Sequence, residues 1–457
     1  MTPTPSQRRL RVLVLAEAAN PEWVSVPLVG WTLAQALREV ANVHLVTQVR
    51  NPDAILRAGL TEGEDFTVID TETTAAFAYK LAERLRMGKN RGWTTVRLIE
   101  SLVYPFFERK VWQKFGARIK AGEFDIVHRV TPLTPTANSL IAGKCKRAGV
   151  PFVMGPLNGG VPWPRDFRGA QLREREFLSF VRAAFKLNPA RGRTLKNAQA
   201  IIAGSQQTRS EIPARYQDKT FFVPEIAIDP SRFDGSNAPY GDGPLRSCFI
   251  GRLVPYKGAD MLIEAAVPLL ADGKLALDIL GDGPELPALK AQAAAAGVSD
   301  AIRFHGWVDH AKVQDIAKGA QLFTFPSIRE FGGGVVLEAM SLGLVPVICD
   351  YAGPAELVSD HTGYKIAMGP RDRIVQALRQ KLTEICADPT QLTAKSQAAR
   401  QSVQEHFTWS AKAQQISQIY RWVLEGIPKP EPMSGHQASL SRAIAQRLRA
   451  SRDLKPN

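Results

Sequence analysis

The chain alternates strand-like and helix-like apolar patterns twice over, and few architectures accommodate that. In the first half, short apolar runs at 12–16, 43–49, 124–130, 151–154 and 200–204 are separated by stretches with helical spacing, such as 31–40 and 137–148. In the second half the runs 247–251, 275–280, 302–306, 322–325 and 345–349 alternate with helical stretches at 259–270, 285–296, 311–318 and 335–342. Continuous apolar runs of this length suit strands buried on both faces, and a helix between successive strands makes those strands parallel. Two such sets predict an α/β chain of two doubly wound, Rossmann-like domains facing each other across a cleft. The stretch FDGSNAPYGDGP at 233–244 breaks the pattern as a surface loop or part of the connection. The expected division is a first domain over 1–216 and a second over 217–406. A late helix follows at 407–425, and then a basic tail over 426–457 that is expected to lack structure on its own.

A length of 457 residues with 45% hydrophobic and 22% charged residues is that of a globular protein with room for two or three cores. No apolar run approaches the roughly 18–20 residues that span a bilayer. The run at 12–16 is too short for a signal peptide, so a first buried strand behind a short leader is expected. The four cysteines, Cys145, Cys248, Cys349 and Cys386, are scattered without metal or redox spacing, which fits a cytoplasmic protein. No His/Asp/Glu cluster has metal-ligand spacing either, so no metal is expected.

The formal charge of +14 raises nucleic acid, anionic membrane and anionic substrate as partners. Nucleic acid rests on net charge alone and is not expected. Part of the excess is concentrated between Lys80 and Lys120, where Trp93, Tyr104, Phe106, Phe107, Trp112 and Phe115 are interleaved with the basic residues. Exposed, those aromatics would suit an anionic membrane surface. Buried, they would be ordinary core beneath a solvated helix face.

The densest chemistry lies in FPSIREFGGGVVLEAM, where Glu330 and Glu338 bracket Gly332, Gly333 and Gly334. A strand that runs through glycines into a helix exposes backbone N–H groups at the positive end of the helix dipole, which suits a phosphate. A carboxylate on each side can accept hydrogen bonds from sugar hydroxyls. Upstream, FIGRLVPYKG places Gly251, Arg252 and Lys257 just after a strand, where two cations can neutralise a diphosphate. The runs ILGDGPE, with Gly281, and RFHGWVDH, with Gly306 and Val308, repeat the strand-to-glycine turn. All these turns belong on one edge of one parallel sheet, the edge where open α/β folds bind ligands. No GxGxxG follows a predicted strand, which argues against a dinucleotide dehydrogenase.

In this order, GRLVPYKG, GDGPE, FHGWV and the Glu330–Glu338 pair resemble the retaining glycosyltransferases of the GT-B fold, most closely family 4. The resemblance is dense between about Val223 and Gly363. It is looser in FDIVHRVTP and AIIAGSQQT of the first half. It implies transfer of a sugar from a nucleoside-diphosphate sugar to a glycan or lipid-linked acceptor, without a metal or other cofactor. Arg252 and Lys257 would hold the diphosphate, Glu338 the ribose and Glu330 the transferred sugar. The backbone around Gly332, Gly333, Gly334 and Val335 would contact sugar and phosphate, and Gly251, Gly281, Gly306 and Val308 would line the rest of the donor site. His128 would face the reacting centre from the first domain, and the helix at 407–425 would pack back on that domain.

This chain departs from the family pattern at three places. Phe331 follows Glu330 directly, Glu225 stands where an asparagine is usual, and the turn after the first strand offers only Gly30. Asn158, Gly159 and Gly160 either line the acceptor side or shape a structural loop. The competing readings are a phosphorylase or nucleotide-sugar epimerase of the same fold, and a non-catalytic basic protein that binds nucleotides or docks on membranes.

Overall fold

The computed structural model describes residues 8–71, 93–169, 188–233, 241 and 243–430. Within them the chain forms two compact units. The first takes residues up to 159, 188–225 and 409–430; the second takes 160–169 and 226–408.

The first unit is built from β1 (Leu10–Ala16), α1 (Val26–Val40), β2 (Ala41–Gln48), α2 (Pro52–Arg57), β3 (Phe66–Ile69), α3 (Trp93–Lys120), β4 (Ile126–Thr131), α4 (Ile141–Arg147), β5 (Phe152–Leu157), α5 (Pro189–Asn197), β6 (Ala200–Ala203), α6 (Gln206–Ser210) and β7 (Thr220–Phe222). Its strands make one parallel sheet in the order β3-β2-β1-β4-β5-β6-β7. Both faces are covered, and β1 shows why the sequence demands it. Val12 and Val14 enter one apolar layer, and Leu13 and Leu15 enter the other. The last helix, α14 (Trp409–Glu425), returns to this unit by burying Ala413, Ile416, Ile419 and Tyr420 in the Val12 layer beside α1. Lys412 is buried with them, and its ammonium donates to the Pro224 carbonyl.

The second unit is built from β8 (Leu245–Ile250), α7 (Ala259–Ala271), β9 (Leu275–Leu280), α8 (Leu286–Ala295), β10 (Ile302–Gly306), α9 (His310–Ala317), β11 (Leu322–Phe325), α10 (Gly334–Ser341), β12 (Val345–Cys349), α11 (Ala352–Leu357), β13 (Tyr364–Ile366), α12 (Arg371–Ala387) and α13 (Gln391–His406). Its parallel sheet runs β10-β9-β8-β11-β12-β13. The order reverses at β8, the first strand laid down, so β8 and its neighbour β11 flank the switch point. That is the position at which such sheets bind ligands.

The structure moves several expected boundaries. The units divide between Glu225 and Ile226 rather than after 216, because β7 continues the first sheet by pairing with β6. Residues 160–169 pack with the second unit although they follow β5 of the first. The late helix starts at Trp409 rather than 407. The tail is anchored at its start: the Lys429 ammonium donates to the Asp218 carbonyl at 2.8 Å and lies 4.8 Å from the Phe221 ring centre. Residues 431–457 lie outside the described residues, as do 72–92, which take in the first part of the basic cluster, 80–92.

On α3, Tyr104, Phe107 and Phe115 are core. Trp112 is half-buried, with the Lys144 ammonium 5.2 Å from its ring centre. Phe106 is exposed. Most of the described aromatics of this segment thus serve packing, and the basic residues Arg109, Lys110 and Lys114 form its solvated face. No helix among the described residues is long and apolar enough to cross a membrane.

Candidate functional site

The second sheet ends at its carboxyl edge in a set of turns that can lie together only because glycines stand at the contacts. A Cβ on Gly281 would sit 1.9 Å from the Gly251 carbonyl oxygen, and one on Gly283 would sit 2.3 Å from the Leu253 carbonyl oxygen. The turn after β9 therefore lies backbone to backbone on the turn after β8, held by Leu253 N–H to Asp282 O at 2.9 Å. The Gly281 amide donates to Gly306 O at 2.8 Å, which joins the turn after β10.

These three turns bound a pocket of about 620 Å³, lined by Ile250, Gly251, Arg252, Leu280, Gly281, Asp282, Gly283, Trp307, Val308 and Val313. Its size is that of a small-molecule site. Arg252 is exposed at the rim, and Trp307 stands 75% exposed at the mouth. A flat aromatic face of that kind stacks on planar rings.

One turn further along the edge, Lys257 forms an ion pair with Glu330, with side chains 17% and 21% exposed. Lys257 closes the short 3-10 turn Pro255–Lys257. Gly258 follows it in the left-handed region at φ 78°, where a Cβ would meet Pro326 O at 2.5 Å. The Lys257 ammonium lies 5.0 Å from the centre of the Phe325 ring, and Gly251 packs against the same ring. Phe325 thus stands against both Lys257 of the ion pair and Gly251 of the pocket lining.

Beyond Glu330 the chain enters α10 through Gly333, which caps the helix at φ 65°. In the first turn of α10 the Val336 amide donates to the Gly333 carbonyl at 2.9 Å, and the amides ahead of it lie at the positive end of the helix dipole. Glu338 lies half-buried one turn further on. Gly332 approaches Ile226 so closely that a Cβ would meet its Cγ1 at 2.3 Å. Phe331, the residue that departs from the family pattern, is accommodated by Gly353. A Cβ there would lie 1.9 Å from the Phe331 carbonyl oxygen, and the Gly353 amide donates to Glu330 O at 3.1 Å.

The structure therefore groups Gly251, Arg252, Gly281 and Val308 around the pocket. It joins Lys257 to Glu330 beside it, and it places Gly306, Gly332, Gly333, Gly334, Val335 and Glu338 on the same sheet edge. Sequence reasoning left Gly258, Gly283 and Gly353 out of the site. Gly258 and Gly283 each stand within two residues of another site residue, Gly353 does not, and all three show their meaning only against a neighbouring turn.

Residues expected on the first unit fare differently. His128 is fully buried on the central strand β4 and does not reach a surface. Its Nε2 lies 2.8 Å from Gly155 O and its Nδ1 2.7 Å from the Tyr420 hydroxyl. The carbonyl can only accept, so Nε2 carries the proton and Nδ1 accepts from the tyrosine. Burial lowers the pKa to about 4, against the hydrogen bond to Gly155, with Arg129 adding to the fall. His128 is a neutral core histidine, and its expected catalytic place is withdrawn.

Gly30 lies inside α1 rather than in a ligand loop. Its contact is structural: a Cβ would meet Ala18 O at 2.1 Å. Asn158 is buried, its backbone N–H donating to Leu133 O at 2.7 Å, and the Gly159 N–H donates to the Thr208 hydroxyl at 2.9 Å. Gly160 belongs with the second unit. His305 is paired with buried Asp278 at 2.8 Å, which also holds Arg246 at 2.6 Å, so it too is structural.

A second cavity, about 550 Å³, lies at the opposite, amino end of β1 and β2 and is lined by Arg9, Arg11, Arg38, His44 and Arg118 among others. Its arginines are already engaged. Arg11 pairs with Asp125 at 3.2 Å, Arg38 with Asp65 at 2.8 Å and Arg118 with Glu123 at 2.7 Å.

Residues 237–402 match the family model described as glycosyl transferases group 1. That match lies within the second unit. The chain is 30% identical over 246 residues to the glycogen synthase of Mycobacterium tuberculosis, covering 52% of this chain and 58% of that one. It is 28% identical over 294 residues to a GDP-mannose-dependent phosphatidylinositol monomannoside mannosyltransferase of Corynebacterium glutamicum, covering 62% and 73%. Among solved structures it is similar to Anabaena HepE in complex with UDP, with a TM-score of 0.56 at 16% identity, covering 89% of this chain and 98% of that one. The chain spans between two fifths and three fifths of the length of the first curated relatives it matches. The fold is GT-B: two Rossmann-like α/β units in one chain.

Proposed function

We propose that this protein is a retaining, metal-independent glycosyltransferase that moves a sugar from a nucleoside-diphosphate sugar to a hydroxyl of a glycan or lipid-linked acceptor. The observation that carries the reading is the Lys257–Glu330 pair beside a glycine-bounded pocket with Arg252 at its rim, the Phe325 ring standing against both Lys257 and Gly251. The pocket receives the nucleoside, with Trp307 against the base, and Glu338 accepts hydrogen bonds from the ribose. Arg252 and Lys257 take the diphosphate and stabilise the charge it gains as the glycosidic bond breaks. Glu330 orients the sugar hydroxyls. The departing diphosphate accepts the acceptor's proton on the face from which it leaves, so no side chain serves as nucleophile. Anabaena HepE is held with UDP and the corynebacterial relative is named for GDP-mannose, so a nucleoside diphosphate is the chemistry common to both.

A panel of UDP-, GDP- and ADP-sugars scored by thermal stabilisation identifies the donor. Product NMR then reports the anomeric configuration, and turnover in excess EDTA reports the metal requirement. Glu338→Ala and Lys257→Ala are each expected to weaken nucleoside diphosphate binding by about 1–3 kcal/mol, the loss of a charge-assisted hydrogen bond. Calorimetry showing unchanged affinity in both variants rejects the assignment.

A further inference from the structure

The segment GVPWPRDF, residues 160–167, lies on the second unit although the sequence delivers it from the first half of the chain. We propose that it is a strap that fixes the Lys257–Glu330 pair in register, with Trp163 as the positioning residue; this rests on the donor-site reading above.

The strap touches three loops at the carboxyl edge of the second sheet. The Arg329 guanidinium lies 4.8 Å from the Trp163 ring centre, and its Nε donates to the Val161 carbonyl at 3.4 Å. Trp163 meets the Tyr256 ring edge-on, with centres 5.9 Å apart. The Tyr351 hydroxyl donates to the Pro162 carbonyl at 2.9 Å.

Tyr256 immediately precedes Lys257, and Arg329 immediately precedes Glu330. Tyr351 leads into α11, whose Gly353 amide holds the Glu330 carbonyl at 3.1 Å. Each strap contact is therefore next to one member of the pair or to the loop that supports it. Pro162 and Pro164 flank the tryptophan and restrict its backbone, so the ring is presented from a stiff segment.

An ion pair drawn from two separate loops is only as precise as those loops. Lys257 must also share its ammonium with an arriving diphosphate. The strap holds the Glu330 segment through Arg329 and Tyr351 while the long lysine side chain turns to the phosphate. The nucleoside pocket, bounded by Gly251, Gly281, Gly283 and Trp307, contains no strap residue. Loss of the strap should therefore damage turnover and diphosphate binding and spare nucleoside recognition.

The test is steady-state kinetics with the donor sugar found active for the wild-type protein, together with calorimetry on the matching nucleoside mono- and diphosphates. Trp163→Ala is expected to lower kcat/KM about 20-fold, the scale of a sub-ångström misplacement, with monophosphate affinity within about twofold of wild type. Trp163→Phe, which keeps a ring face for Arg329, is expected to recover to within about threefold. Tyr351→Phe removes one oxygen and is expected to lower kcat/KM about threefold; it decides the matter if Trp163→Ala does not fold.

The proposal is overturned if Trp163→Ala or Tyr351→Phe turns over like wild type. It is also overturned if Trp163→Phe is as impaired as the alanine, or if mono- and diphosphate affinities fall together. A wild-type protein that neither binds nor turns over any nucleotide sugar overturns the donor-site reading and the strap with it. An active wild type with an indifferent Trp163→Ala overturns the strap alone.

Discussion

His128 illustrates how little a residue's type reveals until its neighbours are known. A histidine at the end of an apolar strand matches the family position for a group near the reacting centre. Here the imidazole is sealed between the Tyr420 hydroxyl and the Gly155 carbonyl, and burial favours its neutral form. The folded-state pKa of about 4 lies below the ordinary 6.5, so the folded protein binds the proton less readily than the unfolded chain. The stabilisation is fully present above pH 6.5 and is lost as the pH falls toward 4. Integrated over that interval it comes to about 3 kcal/mol. Urea melts between pH 7 and pH 4.5 should show the loss in the wild type, and His128→Asn should flatten the dependence. An equal pH dependence in both proteins would remove His128 from this role. Glu330 and Lys257 contrast with it: the sequence set each beside a glycine turn, Glu330 with Glu338 and Lys257 with Arg252, and the fold joins them to each other as a partly exposed ion pair.

At the scale of elements, the turns rather than the strands carry the site. Gly281 and Gly306 read alike in sequence, each ending a strand. In the structure Gly281 stands against the Gly251 carbonyl, whereas Gly306, at φ 67°, has open space where a Cβ would go. Gly281→Ala should cost about 2–4 kcal/mol by forcing two turns apart, and Gly306→Ala about 1–2 kcal/mol from the left-handed backbone alone. Chemical denaturation of the second unit's transition compares them, and equal costs would contradict the backbone contact.

The interior strands were legible. Runs such as 275–280, 322–325 and 345–349 coincide with β9, β11 and β12. The strands sequence reasoning missed, β3, β7 and β13, are three or four residues long, and all three sit at sheet edges. An edge strand has one neighbour and needs no long apolar run, so its signal is weak. The α3 aromatics left two readings open, a membrane face or ordinary core. Interleaving with lysine and arginine is compatible with either, and the structure turns Tyr104, Phe107 and Phe115 inward at helical spacing while Phe106 stays exposed.

For the whole molecule, each unit has its own apolar core, and the proposed donor site belongs to one of them. Binding to the native state should therefore stabilise that unit selectively, by about 2.7 kcal/mol at a hundred times Kd. Hydrogen exchange with saturating nucleoside diphosphate is expected to slow within 226–408 and in 160–169, and to leave β1, β4 and α14 unchanged. Protection that appears equally in the first unit's strands would show that the ligand sits elsewhere.

The sequence by itself determined the two α/β units, the parallel direction of their interior strands and the sheet edge on which the glycines, cations and carboxylates gather. Those follow from hydrophobic period and turn chemistry, which are local. Only the tertiary structure decided that residues 160–167 pack with the second unit, that His128 is core, that Tyr420 and Lys412 are the buried polar contacts of α14, and that Gly258, Gly283 and Gly353 are contacts between turns. Each of these depends on which distant backbone comes within a few ångströms, and such a distance leaves no period in the chain.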